Sequence, residues 1–202
     1  MSKTLKILLI VLGAIVFLFV IPLGCSIVKF KNNAVDKSEL IDGSWAEVET
    51  QYQRRVDLIP NLVNTVKGYA DFEQETLTAV IEARAKATSV SINPENLSPD
   101  AIAQFEQAQQ GVSSALSRLL VTVERYPDLK ASTQFSQLQV QLEGTENRIA
   151  VARRNFNQSV RDYNAYIKKI PNSLWASIWN YEESGYFESK PGSDVAPEVT
   201  FD

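Results

Sequence analysis

The chain has 202 residues, 45% hydrophobic and 22% charged, with a formal net charge of −4. That composition is globular rather than disordered, and it excludes the basic face of a general nucleic-acid binder. Histidine is absent and Cys25 is the single cysteine. Ser-His-Asp and Cys-His catalysis, the H-E-x-x-H zinc site and the Glu-x-x-His di-iron pattern are therefore removed, and no cofactor and no metal are expected.

After a short N-terminal segment, residues 1–6, the stretch from Ile7 to Val28 carries no charge. As a helix it would be about 33 Å long, enough to cross the hydrocarbon core of a bilayer. It is expected to span the membrane, with lipid as the first partner. Lys3 and Lys6 precede it and Lys29 and Lys31 follow it, so the positive-inside rule assigns no side to the rest of the chain. The run is longer than the apolar core of a cleaved signal and lacks its small-residue exit. "PLGCS" is a loose match to a lipoprotein cleavage site, with Pro22 where an aliphatic residue is usual. A lipid anchor on Cys25 is the alternative.

From Asn33 to Tyr69 apolar residues recur at steps of three and four: Ile41, Trp45, Val48, Tyr52, Val56, Ile59, Leu62, Val66, Tyr69. That is one face of a helix. Pro60 lies inside it, where proline removes an amide donor and costs roughly 3 kcal/mol. Ile59 cannot cap a new helix, and the apolar register runs through, so a kinked continuous helix is expected. The freed carbonyl of Val56 then needs an arginine, an asparagine or water. Gly68 and Asp71 suggest a break, and Leu77, Val80 and Ile81 carry a second helix to about Thr88. "SVSINPENLSPD" is a loop whose Ser98-Pro99 caps and starts the third helix. That helix bears Ile102, Phe105, Val112, Leu116, Leu119, Val123 and Tyr126, and stops before Pro127. A fourth begins near Ser132 and keeps its periodicity to Pro171, about 58 Å.

The fold class predicted is all-α. An N-terminal transmembrane helix precedes an antiparallel four-helix bundle with long helices over residues 32–171. Residues 172–202 would add a short apolar helix with Trp175 and Trp179, then a flexible tail with a sticky end at Val199 to Phe201.

Three stretches carry a family resemblance: "RRVDLIPNLVNTVKGYADFEQETLTAVIEARAKA", "SRLLVTVERYPDLKASTQFSQLQVQLEGTENRIAVARRNFNQSVRDYNAYIKKIP" and "PEVTFD". They resemble the LemA family of bacterial membrane proteins. The resemblance implies a single-pass protein of the bacterial cell membrane with a helical bundle, and it implies little about activity. Phe72 stands where members often have histidine, so no family-wide role of an imidazole carries over. The family's aromatic-Tyr-Asn after the double arginine reads Asn155-Phe156-Asn157 here, and Phe30-Lys31-Asn32 replaces a Tyr-Asn after the membrane helix.

The candidate polar patch is Arg54, Arg55, Asn61, Asn64, Glu146, Asn147, Arg148, Arg153 and Arg154. It could recognise a protein partner or an anion. The competing reading, which weighs more, pairs these groups between helices, where they fix register and satisfy the carbonyl at Pro60. The carboxylate pairs Glu143/Glu146 and Glu182/Glu183 lack a nearby nucleophile or anion hole. Gly68 and Gly111 are isolated and form no phosphate loop. Tyr163, Tyr166, Trp175 and Trp179 read as core and helix-end packing, with the Trp pair also suited to a membrane surface. The predicted function is a membrane-anchored, non-enzymatic adaptor or scaffold for an unidentified protein partner. The alternative is an envelope-organising lipoprotein anchored through Cys25.

Overall fold

The computed structural model describes residues 3–69, 72–93 and 97–188. Asp71, the loop residues 94–96 and the tail from 189, with "PEVTFD" and the Val199 to Phe201 end, lie outside the described residues. The chain is all-helical, and among the described residues there is no strand.

The apolar N-terminus and the first helix of the body are one run, Lys3–Lys67. It comprises α1 (Lys3–Ile15), a π-helical turn (Val16–Val20) and α2 (Ile21–Lys67). The π turn sits where Pro22 lacks the amide that would reach Leu18, so the ladder is rewound rather than broken. No proline intervenes between Pro22 and Pro60, and the sequence boundary between span and body at residues 28–32 is crossed without interruption. The first part of the run is long and apolar enough to cross a membrane, and none of it is covered by the rest of the protein. Cys25 is exposed on this helix.

The remaining helices are α3 (Gln74–Ser89), α4 (Pro99–Val123), α5 (Pro127–Lys130), α6 (Thr133–Lys168) and α7 (Asn172–Ile178). Ser98 and Ser132 cap α4 and α6, their hydroxyls accepting from Ala101 N and Phe135 N at 3.4 Å each. The short α5 is absent from the sequence reading, which has Pro127 only as a stop. Asn180 closes α7 in the left-handed region at φ 53, and Tyr181 N donates to Ala176 O at 3.0 Å. Asparagine tolerates that conformation better than most residues.

Helix α2 packs chiefly along α6, and α3 along α4. One apolar cluster joins early α2 (Phe30 to Tyr52) to late α6 (Ile149 to Ile167) and early α4 (Ile102, Phe105). A second joins late α2 (Ile59 to Val66) to α3, late α4 (Val112 to Val123), Leu129 of α5 and early α6 (Phe135, Leu142). The two long helices therefore run in opposite directions. Phe72 is buried in the second cluster and meets the Tyr126 ring at 4.9 Å.

Candidate functional site

The two clusters leave a gap at the same level on three helices: between Tyr52 and Ile59, between Phe105 and Val112, and between Leu142 and Ile149. A polar layer fills it. Arg55 is 1% exposed. Its Nη1 donates to Glu146 Oε1 at 2.8 Å and Ser113 Oγ at 2.9 Å. Its Nη2 donates to the side chain and the carbonyl of Gln109 at 2.6 and 3.1 Å. The Tyr52 ring lies 5.0 Å from the guanidinium carbon. Every Nη hydrogen is thus spent on the protein, and Nε finds no partner among the described residues. At 1% exposure with its four Nη hydrogens occupied, this guanidinium faces the protein and not a surface ligand, and its planar fork ties α2, α4 and α6 at one register. Burial pushes the Tyr52 phenol above its ordinary value, with Arg153 and Arg55 pulling the other way.

Tyr181 to Glu188 leaves α7 as a non-helical strap laid between α4 and α6. Two asparagines of α6 grip its main chain. Asn164 Oδ1 accepts from Ser184 N at 3.0 Å and its Nδ2 donates to Ser184 O at 2.9 Å. Asn157 does the same for Phe187, at 2.9 and 2.8 Å. Both are seven residues apart, so they stand on one helix face. Gly185 N donates to Leu97 O at 2.8 Å, and a Cβ on Gly185 would lie 2.7 Å from Pro99 Cα, so only glycine fits. Arg153 pairs with Glu106, donates to Glu188 O at 2.9 Å and covers the Phe187 ring at 4.7 Å. Phe187, Phe105 and Phe156 surround Trp45 at centroid distances of 6.0, 5.2 and 5.5 Å. Burial also raises the phenol of Tyr163, helped by Tyr181 and Glu182.

Pro60 lies within α2. The Val56 carbonyl it leaves without an amide partner accepts from Arg84 Nε of α3 at 3.2 Å. The sequence asked for an arginine, an asparagine or water there; an arginine answers, and it is none of the residues nominated for the patch.

The nine patch residues do not form one surface. Arg55 and Glu146 meet in the polar layer, and Arg153 belongs to the strap. Arg54, Asn61, Asn64, Asn147, Arg148 and Arg154 are exposed along α2 and α6. The carboxylate pairs are divided as well: Glu143 takes Gln139 at 3.0 Å and Glu183 takes Lys168 at 2.6 Å. Sequence reasoning missed Arg84, Glu106, Gln109, Asn157 and Asn164. Asn164 had a readable signal, because it falls on the apolar stripe of Val160, Tyr163 and Ile167.

A model of the LemA family matches residues 44–201. The chain is 25% identical over 181 residues to magnetosome protein MamQ 2 of Paramagnetospirillum magneticum, covering 81% of this chain and 66% of that protein. It is 28% identical over 173 residues to magnetosome protein MamQ of Magnetospirillum gryphiswaldense, covering 75% and 63%. It is 26% identical over 137 residues to protein LemA of Metamycoplasma hominis, covering 68% and 59%. The chain thus spans just under two thirds of the length of these curated relatives, or less.

Proposed function

The chain belongs to the LemA family, and we propose on that premise that it is a non-enzymatic adaptor or scaffold that holds a helical body beside the bacterial cell membrane. One observation carries the reading. The apolar run continues without a break into α2, the helix about which both apolar clusters are built. A helix of that length is a stiff lever between bilayer and body, which suits positioning rather than turnover. We read α2, α3, α4 and α6 as an antiparallel four-helix bundle whose outer faces meet a partner protein. Of the nine patch residues, Arg55 and Glu146 serve helix register and Arg153 serves the strap, which leaves the exposed six to the outer faces. The lipoprotein alternative gains no support from the relatives, and Cys25 sits inside the uninterrupted helix.

The test is photo-crosslinking in intact membranes from Asn147, Arg148 and Arg154, in the full chain and in a chain whose residues 7–28 are deleted. A discrete crosslinked protein, lost from the detached body at equal abundance, is the expected result, because the anchor sets the local concentration. Equal capture by a body with no membrane association would overturn the reading.

A further inference from the structure

Helix α7 lies against the point where the apolar run ends. Trp175 Nε1 donates to Ser26 Oγ at 3.4 Å. Trp179 stacks on Phe30 at 6.2 Å, with Lys31 Nζ 4.7 Å from its ring centroid. Tyr166 OH donates to Phe30 O at 3.4 Å. The two tryptophans turn one side of α7 and its end towards α2, and Tyr166 does the same from α6. Ile170 just before α7 and Leu174 and Ile178 within it stand 86%, 61% and 63% exposed. Leu174 and Ile178, four residues apart, share one face of α7, and Ile170 stands in the turn that leads into it. Three exposed large aliphatic side chains within nine residues, two of them on one face of a short helix, are not the normal scatter of surface apolar groups.

Charge marks what covers this face. Residues 21–35 hold Lys29 and Lys31 and no acid, and residues 166–180 hold Lys168 and Lys169 and no acid, in a chain whose net charge is −4. Lys29, Lys31 and Lys169 are exposed, and Lys168 pairs with Glu183. A cationic collar, two tryptophans and an aliphatic face at the end of an apolar span match the layers of a bilayer interface: phosphate, headgroup boundary and upper acyl chain.

We propose that α7 is a second membrane contact, in which Ile170, Leu174 and Ile178 sink into the headgroup–acyl boundary beside the span. Trp175 and Trp179 sit at the headgroup level, and the lysines meet anionic lipid. The inference rests on Ile7 to Val28 being a span. Its consequence is that two points, not one, fix the body on the bilayer. A body held only by α2 is free to tilt with that helix, whereas one also held at α7 has a set orientation. The strap begins three residues after Ile178, so the same contact fixes the entry of the strap into its groove.

The experiment uses the full chain with Cys25→Ser, reconstituted in vesicles of phosphatidylcholine with a minority of phosphatidylglycerol. Single cysteines are introduced by Ile10→Cys in the span, Leu174→Cys in α7 and Val140→Cys on exposed α6, and each is labelled with an environment-sensitive fluorophore. Circular dichroism confirms unchanged helix content. The expected result is blue-shifted emission at 10 and 174, quenched by lipids brominated in the acyl chain, with neither effect at 140. Omitting phosphatidylglycerol should reduce quenching at 174 and leave 10 unchanged. Quenching at 10 with none at 174 would overturn the proposal and leave the span standing. Quenching at neither site would remove both. Blue-shifted emission at 174 without quenching by lipid would show that protein, a partner or a second copy, covers the face, and would also overturn it.

Discussion

Arg84 reaches from α3 to α2 and donates its Nε hydrogen to the carbonyl oxygen of Val56 at 3.2 Å, four residues before Pro60. The proline removes a donor from one helix and the arginine returns it from the next. The two residues should therefore be energetically coupled. In the native chain Arg84→Ala orphans a partly buried carbonyl, at about 1–2 kcal/mol. In a Pro60→Ala background the amide of residue 60 takes over, and the same change should cost about 1 kcal/mol less. Denaturant unfolding of the four proteins in detergent measures the difference. Equal costs in both backgrounds would show that the pairing is incidental.

Arginines that sequence alone could not rank should separate sharply. Arg55→Lys gives a point charge that cannot serve Gln109, Ser113 and Glu146 together, and should destabilise by about 2–4 kcal/mol. Glu146 is 46% exposed, so Glu146→Gln should cost only about 1 kcal/mol. Arg154→Glu, on an exposed side chain, should stay within about 0.5 kcal/mol. Thermal unfolding of each variant checks the order, and an Arg154 effect as large as that of Arg55 would contradict the polar layer as described.

Releasing the strap should be possible without unfolding the helices. Asn157→Ala and Asn164→Ala each remove two main-chain hydrogen bonds, worth about 1–2 kcal/mol per site. Gly185→Ala drives a methyl group against Pro99. In each variant the amides of 184–188 should exchange faster with deuterium, and chymotrypsin should cut near Tyr186 and Phe187. Helical circular dichroism should hold. Unchanged exchange would mean that burial of Phe187 alone retains the strap.

Alkaline pH should weaken the body through its buried phenols. Burial raises Tyr52 and Tyr163 above 10.0, their ordinary value. The unfolded phenol then releases its proton first, so the unfolded state binds fewer protons and stability falls as pH rises. The contribution is fully present below pH 10.0 and is lost as pH climbs through the raised native values. Tyr52→Phe should flatten this decline in a plot of melting temperature against pH. A slope identical to that of the parent would place the loss elsewhere.

The sequence by itself determined the all-helical class, the apolar run and the starts of α4 and α6. These depend on interactions within a few residues: charge-free length, steps of three and four, and a serine before the first turn. The need for a donor at Val56 was also local, since proline always removes one. Which donor answered was not, because Arg84 is distant in sequence and reaches the carbonyl only when α3 lies beside α2. The same holds for the polar patch. Nine residues looked alike as letters, and packing buried Arg55 and left Arg54 in solvent because adjacent helix positions face about 100° apart. Tertiary structure alone decided that Asn157 and Asn164 hold the strap, because the main chain they grip is far along the sequence. It also set Ile170, Leu174 and Ile178 beside the end of the span, where their exposure carries meaning that the letters did not.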